Sequence, residues 1–218
     1  MRCLCLVALV LAGCMPPSVQ AVDQLMRGLQ SSDVEKAAAA VHPTDRALLR
    51  TCMEARERDP RSLEALALPP DPLKHHIVEI EQKTDEGHIV LVEMTLKNPL
   101  PYASKKIGQE LTGFPETRVV RRRFLSEPLG DEIWGVRLDL EATLERARFV
   151  QHIQSSLENR DFEEVERALQ KVPPPPRTPD AQAGSDRLVD TLRTRLKEAR
   201  THRPSAAHDQ TPPAPRPD

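Results

Sequence analysis

Cysteine, histidine and arginine are the residue types in this 218-residue chain whose spacing points to chemistry. Cys14 ends an apolar run, Leu4 to Leu11, that one basic residue, Arg2, precedes and that the small pair Ala12-Gly13 closes. The run is far shorter than the roughly 20 apolar residues that cross a bilayer. Its charge, length and small-residue exit predict an export signal. His75-His76 is the one paired histidine, but it falls in an alternating segment where adjacent side chains take opposite faces, so the two imidazoles do not readily share one metal ion. By the same alternation Arg121 and Arg123 share a face and Arg122 takes the other, which predicts a solvated sheet face rather than a phosphate site. His88, close to Glu86, falls at a hairpin tip. No Walker loop, dinucleotide fingerprint, serine elbow or zinc-protease helix is present. The expectation is a chain with no catalytic residues, no metal ligands and no cofactor.

Leu11-Ala12-Gly13-Cys14 resembles the lipobox of bacterial lipoproteins. The resemblance implies that the Cys14 thiol is diacylglycerated, that the chain is cut between Gly13 and Cys14, and that the new amino terminus is acylated. The mature chain then has 205 residues, and the loss of Arg2 leaves 30 lysines and arginines against 33 acidic residues. A balance so close to neutral gives no electrostatic drive toward nucleic acid, and six aromatic residues offer little for base stacking. Each buried methylene adds about 0.8 kcal/mol of membrane affinity, so two or three acyl chains hold a protein stably. Cys3 and Cys5 leave with the signal, so Cys52 is the last free thiol and no intrachain disulfide forms. Cys52 shares a helix face with Leu48, Leu49 and Met53, the setting of a buried apolar thiol. In many Gram-negative lipoproteins an aspartate after the acylated cysteine retains the protein in the inner membrane. Met15 stands there, which favours the outer membrane in such a host.

The elements that position these residues divide the chain into a signal (1–13), a lipidated tether (14–20), an α+β domain (21–172) and a proline-rich arm (173–218). At about 3.5 Å per extended residue the tether reaches on the order of 20 Å. Val22, Leu25, Met26 and Leu29 recur at helical spacing, as do Val34, Ala37, Ala38 and Val41 after a break at Ser31-Ser32-Asp33. Ser32 and Glu35 form a capping-box pattern. A third helix follows His42-Pro43 and ends before Pro69-Pro70. Lys74 to Lys83 and His88 to Lys97 alternate around a turn at residues 84–87, predicting a hairpin. A second hairpin is predicted from Arg118 to Leu125 and Ile133 to Leu140, with an unpatterned connection at 99–117. Helical periodicity returns from Glu141 through Leu157 and again from Phe162 to Val172, where Asp161 and Glu164 repeat the capping pattern. Leu29-to-Glu35 and Leu157-to-Glu163 echo each other, read as shared turn chemistry. About four antiparallel strands between N-terminal and C-terminal helices, with a disordered proline-rich tail, complete the expected fold.

The helix-Ser-Ser-Asp-helix opening before His42-Pro43 and the segment Gly130-Asp-Glu-Ile-Trp134-Gly-Val look similar to the nuclear transport factor-like cone fold. That resemblance covers residues 20–141. It implies a bent sheet wrapped around helices, a scaffold that hosts enzymes and inert binding modules alike.

Ten of the 21 prolines lie in residues 173–218, a composition that reads as a polyproline spacer. One helix, about 185–200, interrupts it and carries the stripe Leu188, Val189, Leu192 and Leu196. Such a stripe docks in a partner's groove, pairs as a coiled coil, lies on a membrane or folds back on its own domain. The sequence-level expectation is a lipid-anchored, non-enzymatic envelope protein, held in the membrane by its acyl chains, whose arm engages another envelope protein. The alternative is a small-ligand carrier with a sheet-lined pocket near Met94, Trp134 and Val136. Oligomeric state is left open.

Overall fold

The computed structural model describes residues 15–84, 86–98 and 115–201, with backbone alone over 182–186. The fold is α+β, and its residues divide between two compact units. One holds the residues up to Arg148 with Pro173–Ser185, and the other holds Phe149–Val172 with the residues from Asp186 on.

In the first unit α1 (Pro17–Gln30) is the central helix. Pro17 opens it, where a missing N–H costs nothing. Val22, Leu25 and Met26 are fully buried. Ser32 then adopts a left-handed conformation (φ 53°), and the Asp33 N–H reaches back to the Gly28 carbonyl at 2.9 Å, a Schellman closure. Asp33, rather than Ser32, caps α2 (Val34–Ala40) by accepting from the Lys36 N–H. A Cβ on Gly28 would stand 2.6 Å from the backbone nitrogen of Ala37, so glycine is what lets α1 and α2 touch. His42 and Pro43 start α3 (Pro43–Arg58), and Ser62 caps the short α4 (Leu63–Ala67).

The sheet is antiparallel, in the order β1 (Lys74–Lys83), β2 (His88–Lys97), β3 (Thr117–Pro128), β4 (Trp134–Arg137). The first hairpin has the predicted limits, with bulges in β1 after Ile77 and Ile80. Val90, Val92, Met94 and Leu96 face the helices in the core. The last strand is shorter than its alternation predicts. It stops at Arg137 because Asp139 turns left-handed (φ 51°) and Leu140 already opens α5 (Leu140–Glu158). On its far side β4 is covered by the α2–α3 link, where the His42 N–H donates to the Val136 carbonyl (2.9 Å).

In the second unit, Ile153 of α5, Val165 of α6 (Phe162–Leu169) and Leu192 and Leu196 of α7 (Pro179–Thr201) form a separate core. Its turn repeats the α1–α2 chemistry: Arg160 is left-handed (φ 59°), Asp161 N–H bonds to the Ser156 carbonyl, and Asp161 caps α6.

Candidate functional site

The predicted acylation site, Gly13 and Cys14, lies outside the described residues, whereas Met15 and the helix beyond it lie within them. Met15 is exposed and α1 begins at Pro17, so three peptide steps separate Cys14 from a rigid helix, at most about 10 Å of chain. At the second residue of α1, the buried Ser18 Oγ lies 2.8 Å from His88 Nδ1, and the His88 ring packs on the sole tryptophan, Trp134, with centroids 4.4 Å apart. The sheet end that carries the β1–β2 turn and the β3–β4 loop therefore stands beside the start of α1. Ile133, next to Trp134, is 63% exposed there.

As far as Thr201 the proline-rich arm differs from its expected form, and its remainder, 202–218, lies outside the described residues. Residues 173–176 are part of the first unit: Arg146 donates to the Pro173 carbonyl (3.3 Å), the Arg177 N–H donates to Asp139 Oδ2 (2.8 Å), and Pro176 is buried. The helix starts at Pro179 instead of about 185. Leu192 and Leu196 are buried against Ile153 and Val165, Leu188 packs on the same cluster, and Val189 is half-buried. The stripe is thus covered by its own chain. Leu188, Leu192 and Leu196 repeat every four residues, as do Phe149, Ile153 and Leu157, so the two stripes fit side by side. Arg200 completes the contact, 2.7 Å from Glu166 and over the Phe162 ring.

Met94 and Val136 are fully buried in the packed core and Trp134 packs against it, so the sheet-lined pocket expected there is filled by side chains. An open cleft of about 750 Å³ lies elsewhere in the first unit, between α3, the α4 region and β3. Met53, Leu66 and Leu68 give it an apolar wall, and Arg56, Arg118 and Arg122 give it positive charge. Arg56 is committed, pairing with Asp71 and donating to the carbonyls of Ala65 and Pro69. The Arg118 side chain makes no hydrogen bond or ion pair among the described residues, and that of Arg122 reaches only Asp180 there, at 3.8 Å.

His75 and His76 take opposite faces. His75 Nε2 lies 2.8 Å from Asp23 Oδ1, and His76 is exposed. Arg121 and Arg123 pair with Glu93 (3.1 Å) and Glu81 (2.6 Å) across the sheet face. Cys52 is a buried free thiol, and burial pushes its pKa up. Among the described residues no cluster of His, Cys, Asp or Glu could hold a metal ion, and no helix is long and apolar enough to cross a membrane. The cleft was missed in the sequence because its residues come from segments up to 90 positions apart; the even-numbered arginines of β3 were its one visible signal. No protein-family model, curated protein or solved structure matches this chain.

Proposed function

We propose that this chain is a lipid-anchored protein of the bacterial cell envelope, acting as a non-enzymatic interaction module. The observation that carries the reading is Leu11-Ala12-Gly13-Cys14 placed three residues before the rigid start of α1. Acyl chains on Cys14 hold the Trp134 end of the sheet against the bilayer, with Ile133 and Trp134 at the interface, where an indole ring is favourably placed. Met15 favours the outer membrane in a Gram-negative host. The self-packed helix α7 moves the interaction surface away from the arm and onto the first unit.

The test is full-length protein beside a Cys14→Ser variant, read by intact mass and Triton X-114 partitioning. The reading expects a diacylglyceryl mass, cleavage before Cys14 and detergent-phase recovery for the parent, with the variant uncleaved and free of lipid. Equal partitioning and equal mass shift would sink it. A small-ligand carrier is the second reading, favoured by the cleft of α3 and β3, and a ligand in the denatured, purified protein would establish it.

A further inference from the structure

Among the described residues the N-terminal half of β3 is an edge. Pairing with β4 covers only Leu125 to Pro128, while pairing with β2 runs the whole length from Thr117. The Asn98 N–H bonds to the Glu116 carbonyl, so the even-numbered residues of β3 direct their backbone groups to β2 and the odd-numbered ones direct theirs outward. Among the described residues no strand lies beside Thr117, Val119 and Arg121, whose N–H and C=O groups form a row on that edge. Val119 is 61% exposed at its centre.

The chain itself shows what this edge takes. At Arg123, the next outward position, the N–H donates to Asp180 Oδ2 (3.2 Å), and the same carboxylate lies 3.6 Å and 3.8 Å from the guanidinium groups of Arg123 and Arg122. One acidic side chain thus caps one edge amide between two arginines. At Thr117, Val119 and Arg121, the outward positions before it, no carboxylate among the described residues accepts from the edge amide. Arg118 and Arg122 line the adjoining cleft from the same side of β3, four residues apart, a separation of about 13 Å along a strand. That is wide for a single small anion and matches two acidic side chains spaced four apart on a neighbouring strand.

We propose that an extended acidic segment of a partner protein adds to β3 as a fifth strand along Thr117–Arg121, with the carboxylates of one face on Arg118 and Arg122 and the alternate apolar side chains on the other face, beside the exposed Val119. Strand addition draws affinity from main-chain bonds and selectivity from alternate side chains. Glu57 also lines the cleft and opposes acid, whereas Asp71 is neutralised by Arg56. A second copy is a poor occupant, because antiparallel pairing of this edge with itself sets arginines against arginines. This proposal rests on the interaction-module reading but not on the lipid, so the mass and partitioning results leave it separately testable.

The probe is a blocked seven-residue peptide alternating Glu and Val, titrated to millimolar concentration into the full chain while the amide resonances of Thr117, Val119 and Arg121 are followed. The expected result is saturable shifts at those three amides, weakened at least tenfold in Arg118→Glu. Arg118→Glu/Arg122→Glu should instead select the Lys-Val peptide. Val119→Pro removes an edge donor without touching the β2 ladder, and it too should weaken binding tenfold. N-methylation of the peptide backbone should do the same on unaltered protein, independent of any variant's folding. Absence of shifts, equal binding of the Lys-Val peptide by the parent, competition by inorganic phosphate at equal concentration, or a dimer that Arg118→Glu dissociates would each overturn the proposal.

Discussion

Asp45 is the side chain on which the junction of sheet and helix depends. It is buried, and its carboxylate accepts from the N–H groups of Leu138 (3.0 Å), Asp139 (3.2 Å) and Leu140 (2.9 Å), capping α5 from 93 residues or more away in sequence. Charge-assisted bonds at a helix N-terminus favour an anion. Asp45→Ala leaves three amides without their acceptor and should cost roughly 3 kcal/mol, with Asp45→Asn intermediate, as read from urea denaturation. His88 and His42 give a pH dependence. Burial pushes both pKa values below the ordinary 6.5, helped at His42 by Arg137 and at His88 by Lys83. The folded state then binds fewer protons than the unfolded chain between the two values, so stability rises with pH there. It should be fully present above about 6.5 and decline as the pH falls toward the depressed folded-state values. The urea midpoint, followed by Trp134 fluorescence, should drop between pH 7.5 and 5.5, and His88→Gln should reduce that drop; an unchanged slope would refute the assignment to His88.

Helix contacts at the element scale turn on small residues and on caps. Gly28 meets the backbone of Ala37 so closely that Gly28→Ala must push α1 from α2. The expected loss is about 1–3 kcal/mol, typical of overpacking, against the slight gain that alanine gives an unconstrained helix; thermal melts of the two proteins separate these outcomes. The two Asp-capped turns, at Ser32-Asp33 and Arg160-Asp161, share left-handed geometry and hydrogen bonding. A local sequence pattern suffices to make such a turn, which is why Leu29-to-Glu35 and Leu157-to-Glu163 resemble each other. Strand β4 shows the reverse. Its alternation runs on to Leu140, yet the chain turns at Asp139 because Asp45 offers the next three amides an acceptor.

For the whole molecule, the second unit stands on Leu192 and Leu196. Truncation after Val172 removes both and uncovers Ile153 and Val165. That truncated chain should lose helicity beyond the deleted residues and be cleaved by protease between 149 and 172. Leu192→Ala in the full chain should destabilise the unit by about 2–5 kcal/mol, visible as faster amide exchange confined to it. In the proposed setting the first unit has a clear polarity. Ser126 of β3 lies at the anchored end beside His88, while Arg118, eight residues earlier and on the order of 27 Å along the strand, opens the cleft at the end away from the bilayer.

The sequence by itself determined the elements that depend on neighbours a few residues away: α1 to α3 from periodicity and proline, the first hairpin from alternation around its turn, α6 from its aspartate cap. It also set Arg121 and Arg123 on one face with Arg122 on the other. Only the tertiary structure decided which apolar stripe meets which. Leu188, Leu192 and Leu196 have the same pattern whether they face a partner or Phe149, Ile153 and Leu157, because a periodicity records that a face must be covered and not what covers it. The role of Asp45 and the cleft of Arg118 and Arg122 were hidden for the same reason. A hydrogen bond or a surface that joins segments some 90 residues apart leaves no local spacing to read, and it exists once the chain has closed.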